Sequence, residues 1–88
     1  MIKIARIEWL GDYRLRVWFS DGTSGEHDFA GLQNETGPMV EPLHDPAFFG
    51  KAFVEDGALV WPNGFDAAPG WLHREMKARG ELKAAVVA

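Results

Sequence analysis

The stretch YRLRVWFSDGTSGEHDF, residues 13–29, decides how this chain folds. Its first seven residues alternate. Tyr13, Leu15, Val17 and Phe19 fall on one face, and Arg14, Arg16 and Trp18 on the other, the period of a strand with one buried side. Ser20-Asp21-Gly22 marks a turn, and residues 23–29 read as the returning strand. Loop length then sets the register. A two-residue Asp21-Gly22 loop would put Glu26 opposite Val17 and Asp28 opposite Leu15, driving carboxylates into the apolar face at high desolvation cost. A three-residue loop with Gly22 in the left-handed region avoids this. It predicts the pairs Phe19–Thr23, Val17–Gly25, Leu15–His27 and Tyr13–Phe29. On the polar side it sets Arg16 against Glu26 and Arg14 against Asp28.

Before this hairpin, residues 5–9 also alternate, with Ala5, Ile7 and Trp9 on one face and Arg6 and Glu8 on the other. Gly11-Asp12 turns the chain into the next strand. The N-terminal half therefore reads as a three-stranded meander. Residues 30–44 are rich in Gly, Pro and polar side chains and read as a long loop with one turn around Leu32. Asp45-Pro46 has the form of a helix N-cap followed by proline at the first helical position, opening a short helix to about Gly50. Residues 52–55 and 58–61 form a second hairpin across Asp56-Gly57.

WPNGFD, residues 61–66, follows. Trp61 ends a strand, and Pro62 lacks the amide needed to continue the ladder. Asn63-Gly64 supplies the positive-φ positions of a tight turn, and Asp66 is placed to cap a C-terminal helix with Pro69 in its first turn. In that helix Leu72 and Met76 share a face, Trp71, Glu75 and Ala78 form a neighbouring row, and Gly80 ends it. Residues 81–88 are a tail that extends the helix weakly or frays. The expected fold is one α+β domain over residues 1–80: a small antiparallel sheet, a second β-hairpin, a short helix and a C-terminal helix.

The 88 residues suit one domain, and 47% hydrophobic with 25% charged residues is ordinary globular composition. So short a chain buries only about 60–65% of its unfolded surface. Without cysteine it has neither disulfides nor thiolate metal sites, so a homo-oligomer or a protein partner is a natural supplement. The formal net charge of −4 opposes direct nucleic-acid binding and permits a basic protein partner. No apolar run approaches the ~20 residues of a membrane span. The charged N-terminus is no signal peptide, and the missing cysteines fit a cytoplasmic location.

The pattern Y-x-L-x-V-x-F-S-D-G at 13–22, Pro42-Leu43 followed by Asp45, and W-P-N-G-F-D at 61–66 with Pro69 and Leu72 resemble the bacterial family catalogued as domain of unknown function 2442. The likeness spans about residues 3–75. It implies a small α+β domain without established enzymatic activity. It also implies a genetic setting beside a second small protein, in an arrangement like a toxin–antitoxin pair, with this chain as the acidic, antitoxin-like partner. Some members carry a helix-turn-helix module after this domain, for which the present chain has no room.

Candidate sites follow from residue type. Trp18 lies on the polar strand face beside Arg14 and Arg16, and exposed tryptophan and arginine dominate binding hot spots, so these three are the candidate partner-binding residues. Trp61, Asn63 and Asp66 are the candidate ligand-binding residues, for a pocket beside the WPNGFD turn. Glu26-His27-Asp28 does not make a metal site, because in a strand His27 points away from its neighbours. Asp66 and His73, seven apart, could share a helix face as an acid–base pair, although a cap and a surface histidine explain them more simply. No phosphate loop, cysteine nucleophile or serine with a base in reach is present, so no catalytic residue, cofactor or metal is expected. The leading reading is a non-catalytic protein-interaction domain. A small-ligand-binding or regulatory domain is the alternative, and an enzyme with a site shared between subunits comes third.

Overall fold

β1 (Ile4–Gly11), β2 (Arg14–Phe19) and β3 (Thr23–Asp28) form an antiparallel meander in the computed structural model, which describes residues 1–84. The β2–β3 register is the predicted one: Arg14 faces Asp28, Leu15 His27, Arg16 Glu26 and Val17 Gly25. Gly22, at φ 87°, supplies the left-handed position of the three-residue loop. Phe29 donates its amide to the Tyr13 carbonyl at 2.7 Å, extending the pairing to the ends.

Two features of the sheet depart from expectation. β1 carries an extra residue between Ile4 and Arg6 and another between Trp9 and Gly11, so the ladder shifts at both places. The first bulge sends Ala5 to solvent and brings Ile4, opposite Phe19, into the core beside Ile7 and its partner Val17. The inward residues of β1 are therefore Ile4 and Ile7, while Trp9 stays 46% exposed at the edge of that face, its ring against Gly50. The sheet also gains a fourth strand, β7 (Lys83–Ala84), paired with Thr23 and Ser24. Residues 81–84 turn back onto β3 instead of prolonging the helix. The remainder of the expected tail, 85–88, lies outside the described residues.

Residues 30–44 form two short 3-10 turns, Ala30–Asn34 and Glu41–His44. They lead to α1 (Pro46–Phe49), where the Asp45 carboxylate accepts the Ala47 amide at 3.1 Å, the expected cap. β4 (Phe53–Glu55), β5 (Ala58–Val60) and β6 (Asp66–Ala67) make a second antiparallel sheet. The Ile4 amide donates to the Gly57 carbonyl at 2.8 Å, tying the start of β1 to the β4–β5 turn.

α2 (Pro69–Ala78) buries Leu72 and Met76, as their spacing predicts. Both helices and the second sheet press against the inner face of the meander. Leu15, Val17, Leu43, Phe49, Leu59, Trp61, Leu72 and Met76 are almost fully buried in one cluster. α2 ends at Arg79 with Gly80 at φ 70°, and the Glu81 amide bonds back to the Met76 carbonyl at 2.9 Å. The fold is α+β.

Candidate functional site

The outer face of the four-stranded sheet carries all three partner-binding candidates. β2 directs Arg14, Arg16 and Trp18 outward because Leu15 and Val17 between them are drawn into the core. β1 adds Arg6, opposite Trp18, and Glu8, opposite Arg16. The Arg6 guanidinium lies 4.5 Å above the Trp18 ring centroid, within cation–π range. Both Arg14, at 2.6 Å, and Arg16 bond to Glu26, one to each carboxylate oxygen. Arg14 was expected to meet Asp28, directly opposite, but reaches diagonally to Glu26. One carboxylate with two oxygens then gathers both guanidinium groups. Asp28 instead accepts the Ala30 amide at 2.8 Å and starts the following 3-10 turn. The outer face is thus a preset array of three arginines, a half-buried tryptophan and an acceptor between them. The pairing of Arg6 with Trp18 was missed in the sequence because the bulge between Trp9 and Gly11 sets that register.

The ligand-binding candidates separate. Trp61 is 1% exposed, and its indole Nε1 donates to the Phe49 carbonyl at 2.9 Å, so it belongs to the core. Asn63 donates Nδ2 to the Met39 carbonyl at 2.8 Å and accepts the Phe65 amide, bracing the turn against the long loop. Only Gly64 has positive φ there, and the Gly64 amide closes the turn on the Trp61 carbonyl. Asp66 does not cap α2. Its backbone pairs with Val60 in β6, and Ala68 takes the N-cap position without a side-chain bond. The hairpin return claims the residue before the helix can begin. Asp66 does border a cavity of about 250 Å³, whose walls include Phe29, Leu32, Phe65, Ala68 and Trp71, with Trp61 at its floor.

A family model described as a protein of unknown function, DUF2442, matches residues 4–77. The chain belongs to this family. No curated protein and no solved structure matches it. The DUF2442 region takes in the whole outer arginine–tryptophan face, the WPNGFD turn and nearly all of α2. Gly80, Glu81 and β7 follow it.

Two histidine–carboxylate pairs lie elsewhere in the chain. His27, 5% exposed, sits within hydrogen-bond reach of Glu81: its Nδ1 donates to Oε1 at 2.7 Å, and its ring stacks edge-on to Phe29. His73 Nε2 donates to Asp21 Oδ2 at 2.9 Å. The expected alternative, His73 with Asp66, does not form. The Thr23 hydroxyl and amide, together with His73, hold the Asp21 carboxyl down to about 2. Both pairs staple α2 and its exit to the β2–β3 hairpin. No group of three or more His, Cys, Asp or Glu side chains gathers to hold a metal among the described residues. No helix among them is long and apolar enough to cross a membrane.

Proposed function

We propose that this chain is a small non-catalytic cytoplasmic protein-interaction domain that uses the outer face of its four-stranded sheet. The observation that carries the reading is the stack of Arg6 on Trp18 beside Arg14 and Arg16. Tryptophan and arginine supply most binding energy in protein interfaces. Here they are held before any partner arrives, which lowers the ordering cost of association. The helices and second sheet pack on the other side, so this face stays open to a partner.

We read that partner as the other half of a two-protein, toxin–antitoxin-like system, with this chain as the antitoxin-like half, a reading that the family resemblance supports. Its mechanism is occlusion: the preset face masks the functional surface of a protein encoded nearby. Co-expression with the products of flanking genes tests this. One product should slow growth alone, form a stable complex with this chain and lose its effect in the complex. A set of neighbours that neither bind nor impair growth would overturn the antitoxin-like assignment.

A small-ligand role at the WPNGFD turn has less support. The cavity beside Asp66 is smaller than the ~300–1,000 Å³ usual for metabolite sites. Asn63 is committed to backbone bonds away from it, and Trp61 to the Phe49 carbonyl.

A further inference from the structure

We propose that the groove between the Ala30–Asn34 turn and α2 receives a short cationic segment of a partner polypeptide. One large apolar side chain of that segment would rest on Trp71, and its lysine or arginine neighbours would face Asp28, Glu35 and Asp66. This is a second contact surface, and it stands independently of the sheet-face reading.

The groove consists of two adjoining depressions. One holds about 250 Å³ and reaches the WPNGFD turn, and the other holds about 200 Å³ and reaches His27 and Arg79. They share Phe29, Leu32, Glu35 and Trp71. Each is too small for a typical metabolite, yet each suits one side chain, so a peptide lying across both uses the shape better than a compact ligand. Trp71 stands between them with 47% of its surface exposed, although it lies one residue from the buried Leu72. The wall opposite is held in place: His44 Nε2 lies 3.1 Å from the Leu32 carbonyl and 3.0 Å from the Glu35 carbonyl, so it donates to that turn. The groove is therefore formed before anything enters.

Charge selects the occupant. Asp28, Glu35, Asp66 and Glu75 rim the groove against a single cation, Arg79, which is paired with Glu75 at 3.1 Å. Among the described residues no lysine or arginine pairs with Asp28, Glu35 or Asp66. Asp28 is left so because Arg14, opposite it in the sheet, turns to Glu26. The start of α2 contributes about half a positive charge near Ala68, which these carboxylates outweigh. An aromatic platform with a carboxylate rim suits a cation flanked by apolar groups.

The test uses the full chain, labelled so that each tryptophan indole gives its own magnetic resonance signal. Acetyl-Lys-Leu-Phe-Arg-Lys-amide is titrated against its charge-reversed counterpart, acetyl-Glu-Leu-Phe-Glu-Glu-amide. The cationic peptide should shift the Trp71 signal saturably and leave that of Trp18, on the outer sheet face and outside the groove, nearly still. Glu35→Gln with Asp66→Asn should weaken binding roughly three- to tenfold, as expected of exposed charge pairs. Trp71→Ala removes that reporter, so binding to it is followed through the backbone amide signals of Leu32 and Glu35, which line both depressions, and it should be abolished. Equal shifts from both peptides would overturn the charge argument. Shifts that survive in Trp71→Ala, or none with either peptide, would overturn the site. A Trp71 signal that moves with protein concentration alone would assign the groove to a second copy of the chain.

Discussion

Glu81 Oε1 lies 2.7 Å from Nδ1 of His27, a residue 54 positions earlier in the chain. This bond fastens the segment leaving α2 to the middle of β3, and β7 continues the attachment two residues later. His27 is buried, so its N–H has no water to turn to if Glu81 is lost. Glu81→Ala should cost about 1–3 kcal/mol, the penalty for an orphaned buried donor. In a domain this size that lowers the melting temperature by about 4 °C or more. Glu81→Gln keeps an acceptor and should recover much of the loss in the same circular dichroism melts.

The same crossing explains Gly25. A Cβ there would collide with the Glu81 carbonyl and lie 3.3 Å from the Met76 methyl group. The obstacle is backbone, which cannot rotate away. Gly25→Ala should therefore destabilise by about 1–3 kcal/mol or more, as overpacking does. Gly31→Ala, where a Cβ meets nothing within 4 Å, is the control and should melt within a few degrees of the parent.

Asp21 links stability to acid. Its carboxyl titrates at about 2 in the fold against 3.8 ordinarily, because Thr23 and His73 bind the ionised form. A depressed folded value means that the unfolded chain takes up the proton first. The contribution is thus complete above about pH 4 and lost as pH falls towards 2. Asp21→Asn should lower the melting temperature at pH 6 and flatten its decline between pH 5 and 2. An unchanged acid slope would show that other carboxylates govern it.

In WPNGFD the effects of substitution should rank by burial. Trp61→Ala removes a buried indole and should cost about 3–5 kcal/mol. The whole domain has roughly 4–13 kcal/mol at ordinary stability per residue, so this variant should be close to unfolding. Asn63→Ala loses two bonds that hold the turn and should cost about 1–2 kcal/mol. Asp66→Ala should change stability by less than about 0.5 kcal/mol, since its side chain is exposed and caps nothing. Chemical denaturation of the three variants checks the order.

The β2–β3 register was legible because two independent signals agree there: apolar alternation, and the cost of burying Glu26 and Asp28. The Asp45 cap and the Leu72–Met76 face were legible for the same local reason. What escaped was non-local or too short to have a period. β6 and β7 have two residues each, and no alternation can be read in two residues. Asp66 looks like a cap in sequence, yet pairing with Val60 claims it first. The His27–Glu81 and His73–Asp21 bonds join distant segments, so no spacing announces them. At the candidate site, Arg14, Arg16 and Trp18 could be read from strand parity, as could the face of Arg6, whereas the pairing of Arg6 with Trp18 depended on an unseen bulge between Trp9 and Gly11. Trp71 had a sequence signal, a large aromatic beside the buried helix face. It becomes a groove only once the Ala30–Asn34 turn stands opposite.

Arg14, Arg16 and Trp18 are the named claim on function, and affinity capture from the protein's own cells tests it most directly. The tagged chain is compared with an Arg16→Ala, Trp18→Ala variant. The exposed ion pair and the ring stack contribute little stability, about 1 kcal/mol or less each, so this variant should keep the parent circular dichroism spectrum. The parent should retain a protein in stoichiometric amount, and the folded variant should lose it. A partner held equally by the folded variant would contradict the claim that the outer sheet face is the contact surface.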